Sequence, residues 1–177
     1  MKTWSYFLTI PKWFLDPVGE VLHKRSDLAE VIIEIGDVRF VPKLIQNLRN
    51  INNESEEYEF LWESEKILAS FESNDVVEQL ISYAVDNSQK NFLRECCTGA
   101  LSESKGRVEL SIFERLVKDE NLLIRRKAIN GLRKYPNSQI KEILFKNMND
   151  EDGWIQHDIL EILGEKGLLV ELIKNNL

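Results

Sequence analysis

The residues of this chain able to carry chemistry are few and scattered. The two histidines, His23 and His157, lie near opposite ends of the sequence. The two cysteines are adjacent, Cys96-Cys97. Neighbours on a helix project about 100° apart and make poor disulfide partners. The pair therefore reads as packing in a reducing compartment, with a vicinal redox switch as the alternative. The 177 residues contain no Cys-x-x-Cys, no His-Glu-x-x-His, no glycine-rich phosphate loop and no Gly-x-Ser-x-Gly elbow. Carboxylates remain. The densest run is Glu54-Ser55-Glu56-Glu57-Tyr58-Glu59, which has no neighbouring base or metal-ligand pattern to make it catalytic. It reads either as a grip for a basic protein or as a solvated helix start, where the helix dipole favours acids. No catalytic residue, metal site or cofactor is expected.

Charge is distributed unevenly. The net charge is −7, yet residues 51–78 hold nine acids against the single base Lys66, and residues 121–146 hold seven bases against Glu142. In an elongated molecule this separates the signs along the axis and steers charged partners. The Arg125-Arg126-Lys127 triplet reads most simply as the solvated face of a helix. Its alternative is a nucleic-acid surface spanning residues 125–146, which a sequence pI near 5.0 disfavours. No apolar run reaches the ~20 residues that cross a bilayer. The first residues lack the apolar core and small-residue cleavage site of a signal peptide, so a cytoplasmic protein is expected.

Positioning comes from a repeat of about 31 residues. Leu93-Arg94, Cys97 and Ala100-Leu101 align with Ile124-Arg125, Ala128 and Gly131-Leu132, and with Ile155-Gln156, Ile159 and Ile162-Leu163. Each block follows a polar run: Asp86-Asn87-Ser88, Asp119-Glu120-Asn121 or Asp150-Glu151-Asp152. A fixed period of helix-patterned units predicts an all-α chain, an α/α superhelix of about five helical pairs forming one domain over 1–177. Residues 26–163 carry the repeats. Residues 1–25, rich in aromatics and broken by Pro11 and Pro17, form an atypical N-terminal cap. Residues 164–177 close the other end. Val41, Leu44, Ile45 and Leu48 fall at i, i+3, i+4 and i+7, one buried helix stripe, with Pro42 in a first turn where its missing N–H costs nothing. Gly36 is expected to end the helix before it.

The segment Ile32-Ile33-Glu34-Ile35-Gly36-Asp37-Val38-Arg39-Phe40-Val41-Pro42-Lys43-Leu44 resembles the short HEAT-like repeat of phycobilisome lyases and many bacterial scaffolds. Gly36-Asp37, Arg39 and Val41-Pro42 carry the likeness, and Ile124-Arg125, Ala128 and Leu132 resemble the same family's helix start. Later repeats lack the Gly-Asp and Pro signals, and Gln156 stands where Arg is expected. The resemblance implies a solenoid across residues 26–163; it assigns no function, because such repeats serve unrelated roles.

In such a stack the second helices line one face. Aligning them turns outward Gln46, Ser82, Glu114 and Phe145 in one column, and Asn47, Tyr83, Arg115 and Lys146 in the next. These are adaptable hydrogen-bonding side chains, with Tyr83 and Phe145 either as aromatic anchors or as partly buried packing residues. Together with Glu54, Glu56, Glu57 and Glu59 they form the expected partner-binding surface. The function expected is non-enzymatic protein binding. Its most specific form is an immunity protein or antitoxin that neutralises a basic, nuclease-like toxin. The alternatives are nucleic-acid binding through 125–146 and a lyase or adaptor role of the phycobilisome-lyase type.

Overall fold

The structure, a computed structural model, describes residues 22–51 and 58–175. The side chains at 21–28, 52–59, 172 and 175–177 lie outside the description. Most of the predicted N-terminal cap therefore falls outside the described residues, as do Glu54, Glu56, Glu57 and the Glu59 side chain.

The described residues fold into ten α-helices and one 3-10 turn, with no strand. In chain order these are α1 (Leu22–Ile35), α2 (Phe40–Asn50), α3 (Tyr58–Ala69), α4 (Asn74–Val85), α5 (Asn91–Glu103), α6 (Leu110–Leu116) and α7 (Leu122–Gly131). The 3-10 turn Leu132–Lys134 follows, then α8 (Asn137–Asn147), α9 (Gly153–Glu165) and α10 (Leu169–Asn175).

Local chemistry sets many of these boundaries. Gly36 takes φ +62°, the left-handed conformation that stops α1. The Asn121 Oδ1 accepts from the N–H groups of Leu123 and Ile124 at 2.9 and 3.2 Å and starts α7. The Asp152 Oδ1 does the same for Trp154 and Ile155 and starts α9. Gly167, at φ +69°, ends the α9 segment, and the Leu168 N–H donates back to the Leu163 carbonyl at 2.8 Å. Helix α9 thus runs through Gly164 to Glu165.

The odd-numbered helices pack in series, α1 on α3, α3 on α5, α5 on α7 and α7 on α9. Each even-numbered helix up to α8 packs against the odd helix that follows it. The α2 stripe of Val41, Leu44, Ile45 and Leu48 is buried as its spacing predicted. It joins one continuous apolar cluster running from Ala29 to Leu168. At the centre is α5, buried at every position from Phe92 to Leu101. Because α2, α3, α4 and α7 surround it, its polar residues Arg94, Glu95 and Thr98 are enclosed as well.

Candidate functional site

The basic stretch is not the solvated face its composition suggested. Arg125 is only 8% exposed. Its Nε and Nη2 donate to Asp150 at 3.1 and 3.2 Å, and its Nη1 donates to the carbonyls of Asp119 and Glu120 at 3.0 and 3.1 Å. Arg126 donates to Asp158 at 2.9 Å. The Lys127 Nζ donates to Glu65, 62 residues earlier, at 2.6 Å. Arg133 is paired with Glu161 and Glu165, and Lys141 with Glu171. The Lys134 Nζ donates to the Leu101 and Ser104 carbonyls at the end of α5, and burial pushes its pKa down. Among the described residues Lys146 alone of the seven bases has no ion pair or hydrogen bond. Composition shows a basic segment; the fold neutralises most of it from within.

The predicted columns on the second helices are partly realised. Gln46, Ser82, Glu114 and Arg115 are exposed. Asn47, Tyr83 and Phe145 are half-buried, and the two aromatics pack against the core. The Arg49 guanidinium covers the Tyr83 ring at 4.8 Å, and Lys141 stands over the Phe145 ring at 5.9 Å. The Arg115 Nη2 donates to the Val85 carbonyl at 2.8 Å, linking α6 to the end of α4. This surface is therefore partly locked by its own contacts. The exposed aromatics stand elsewhere, on the odd helices: Trp62 on α3 and Trp154 on α9, each under a cation, Lys66 at 4.1 Å and Arg126 at 5.6 Å. The acids Glu72, Asp75 and Glu78, around the start of α4, are exposed and have no ion pair among the described residues.

The densest polar geometry lies where α3, α5 and α7 meet. Glu65 is 7% exposed and Glu95 6%. Lys127 bridges them, at 2.6 Å to Glu65 and 3.9 Å to Glu95. Isolated buried carboxylates are costly, so a bridging ammonium is the expected compensation. Burial nonetheless holds the Glu65 carboxyl above its ordinary range; Lys127 pulls it down and Glu103 pushes it up. The Glu65 carboxylate sits against Gly99, where an added Cβ would lie 2.5 Å from Oε2. A larger residue at this position of α5 would require the carboxylate to move. Beside this group opens a cavity of about 220 Å³, walled by Glu65, Gly99, Ser102, Glu103, Lys127, Asn130 and Arg133. Sequence reasoning counted Glu65 only as part of an acidic stretch. The signal for this site is Gly99 inside a helical pattern, a mark of close approach.

Cys96 and Cys97 are both fully buried and unbridged. Burial drives both thiols upward, away from the reactive thiolate. No protein-family model matches the chain, and no curated protein matches it significantly.

Proposed function

We propose that the chain is a non-enzymatic protein-binding module, built as a HEAT-like α/α superhelix, that takes a basic protein on an acidic surface. In its most specific form it neutralises a basic, nuclease-like toxin as an immunity protein or antitoxin in the cytoplasm. One observation carries this reading. Six of the seven bases of the 125–146 stretch, all but Lys146, are held by ion pairs or hydrogen bonds within the fold, while Glu72, Asp75 and Glu78 have no ion pair among the described residues. The unpaired charge around the start of α4 is therefore negative, with the exposed Lys105 and Arg107 on the loop packed against it. Opposite charge raises association rates, which an inhibitor needs. The same neutralisation weakens the nucleic-acid alternative, which requires a field of free cations to displace counterions from phosphate.

The test pairs two measurements. Immobilised chain is incubated at low salt with an extract of its own host, and separately with labelled tRNA and duplex DNA. Retention of a basic polypeptide, released as salt is raised, supports the proposal. Retention of the nucleic acids with a steep salt slope, and of no polypeptide, would overturn it.

A further inference from the structure

We infer that the cavity between α3, α5 and α7 is a receptor for one guanidinium group, carried by an arginine side chain of the basic partner. The inference rests on the protein-binding reading above and names the contact that would give it specificity.

Glu65 is nine-tenths buried, yet only its Oε1 is engaged, by Lys127 at 2.6 Å. Its Oε2 has no hydrogen bond among the described residues and lies against Gly99 on the cavity wall. Glu103, exposed at the rim, has no hydrogen bond or ion pair among the described residues. The Ser102 Oγ donates its proton to the Gly99 carbonyl at 2.8 Å, which leaves the hydroxyl oxygen as an acceptor. The cations on the wall are already taken: Lys127 by Glu65 and Glu95, and Arg133 by Glu161 and Glu165.

The cavity therefore offers the Glu65 Oε2, the Glu103 carboxylate and the Ser102 hydroxyl oxygen as acceptors, while its two cations are held in ion pairs and the Asn130 amide N–H has no hydrogen bond among the described residues. An anion would face two carboxylates. A guanidinium supplies up to five N–H donors, no acceptor and a permanent charge, which fits this inventory.

The site also lies close to the acidic surface. Gly106, in the loop after α5, sits against Val77 and the Glu72 carbonyl. This seats the loop after Glu103 on the turn that carries Glu72. One partner surface can reach both.

The test titrates N-acetyl-arginine amide into the full chain and follows backbone amide resonances, with N-acetyl-citrulline amide as the uncharged mimic of similar shape. Saturable shifts at Gly99, Ser102, Glu103 and Asn130 with the arginine compound alone are the expected result. Glu103→Gln weakens binding about threefold, as for an exposed pair. Glu65→Gln weakens it about tenfold, as for a buried charged hydrogen bond. Should Glu65→Gln lose its fold, as read by a thermal melt, Glu103→Gln decides alone. Equal shifts with the citrulline compound, shifts confined to other residues, or no saturable shift at all overturn the inference. A chain that binds the arginine compound but retains no basic polypeptide sinks the protein-binding reading and leaves the cavity's chemistry standing. A chain that captures a basic polypeptide equally well with Glu103→Gln and Glu65→Gln sinks the cavity and spares that reading.

Discussion

Arg125 reaches 25 residues along the chain to hold Asp150 through two nitrogens, and Arg94 holds Asp119 across the same interval. In each case an arginine near the start of an odd helix grips the aspartate of the turn that opens the next odd helix. Each aspartate also accepts from the backbone two residues ahead, Asp119 from Asn121 and Asp150 from Asp152. The repeat in the sequence is thus a repeated ion pair that fixes one turn to the next.

Arg125→Met should therefore cost about 3 kcal/mol, because it strands a mostly buried carboxylate and two turn carbonyls. Adding Asp150→Asn should cost less than the sum of the two single changes, since both remove one interaction. Gln156 holds the third position and donates only to the Asp150 carbonyl, so Gln156→Arg should lie within about 0.5 kcal/mol of the parent. Urea unfolding of the parent and the four variants measures this. A loss below about 1 kcal/mol for Arg125→Met would show that the pair is ornamental.

Two glycines should respond oppositely to alanine. A Cβ on Gly131 would lie 2.3 Å from the Phe113 ring, whereas one on Gly153 meets nothing within 4 Å. Helix propensity alone favours alanine at both positions by about 0.5–1 kcal/mol. Contact with Phe113 should reverse the sign at Gly131, for a loss of about 1–3 kcal/mol, while Gly153→Ala should be neutral or stabilising. Equal gains at both positions in equilibrium unfolding would contradict the close approach of α7 to Phe113.

These contrasts mark where the sequence could be read and where it could not. The α2 stripe, the stop at Gly36 and the starts of α7 and α9 were legible, because spacing, φ preference and capping are set by residues within a turn or two of each other. The enclosure of α5 was not, since its Arg94, Glu95 and Thr98 look like an outer face until four helices surround them. The Lys127–Glu65 pair was hidden for the same reason: it joins residues 62 positions apart. The basic triplet misled because composition records charge and says nothing of the counter-charge that folding supplies. Of the expected binding residues, Tyr83 and Phe145 proved to be packed against the core, and the acidic run at Glu54, Glu56 and Glu57 lies outside the described residues.

Two carboxyl groups should titrate on opposite sides of their usual ranges. Asp86 accepts from Gln89 and from the hydroxyl and N–H of Ser88, which together lower its pKa from 3.8 to about 2. Its lowered value means that folding favours the ionised form. That contribution is complete above the ordinary value and is lost as pH falls through about 2. Glu65 has the reverse sign. Burial raises its value, so its contribution is present below the ordinary 4.5 and is lost as pH climbs through the raised value. Carboxyl-carbon NMR titration resolves both groups. Lys127→Met should raise Glu65 further and Glu103→Gln should lower it; a Glu65 that titrates with the exposed glutamates would contradict its burial.

Ala128 is fully buried at the position Cys97 holds one repeat earlier. Ala128→Glu would place an unpaired charge in the core and should cost at least ~4 kcal/mol, most of the stability of a protein at the lower end of the usual range of about 5–15 kcal/mol. Ala128→Cys, which copies the equivalent residue, should be tolerated to within ~1.5 kcal/mol. A thermal melt of Ala128→Glu that matches the parent would show that this register is wrong.

Reversal of Glu72, Asp75 and Glu78 to lysine separates binding from folding. All three are exposed and unpaired among the described residues, so Glu72→Lys and Glu78→Lys should each alter stability by no more than about 0.5 kcal/mol, and Asp75→Lys, in the first turn of α4, by about 1 kcal/mol through the helix dipole. Charges of this kind act mainly on encounter: the field that draws a basic partner in changes sign while the contacts that hold it remain. The triple variant should therefore associate with a basic partner on the order of tenfold more slowly at low ionic strength. The difference should shrink as salt shortens the screening length to about 3 Å near 1 M. Stopped-flow association across a salt series reads both effects. An unchanged association rate at low salt would place the docking face elsewhere, whereas a faster dissociation with unchanged association would make these acids direct contacts rather than a steering field.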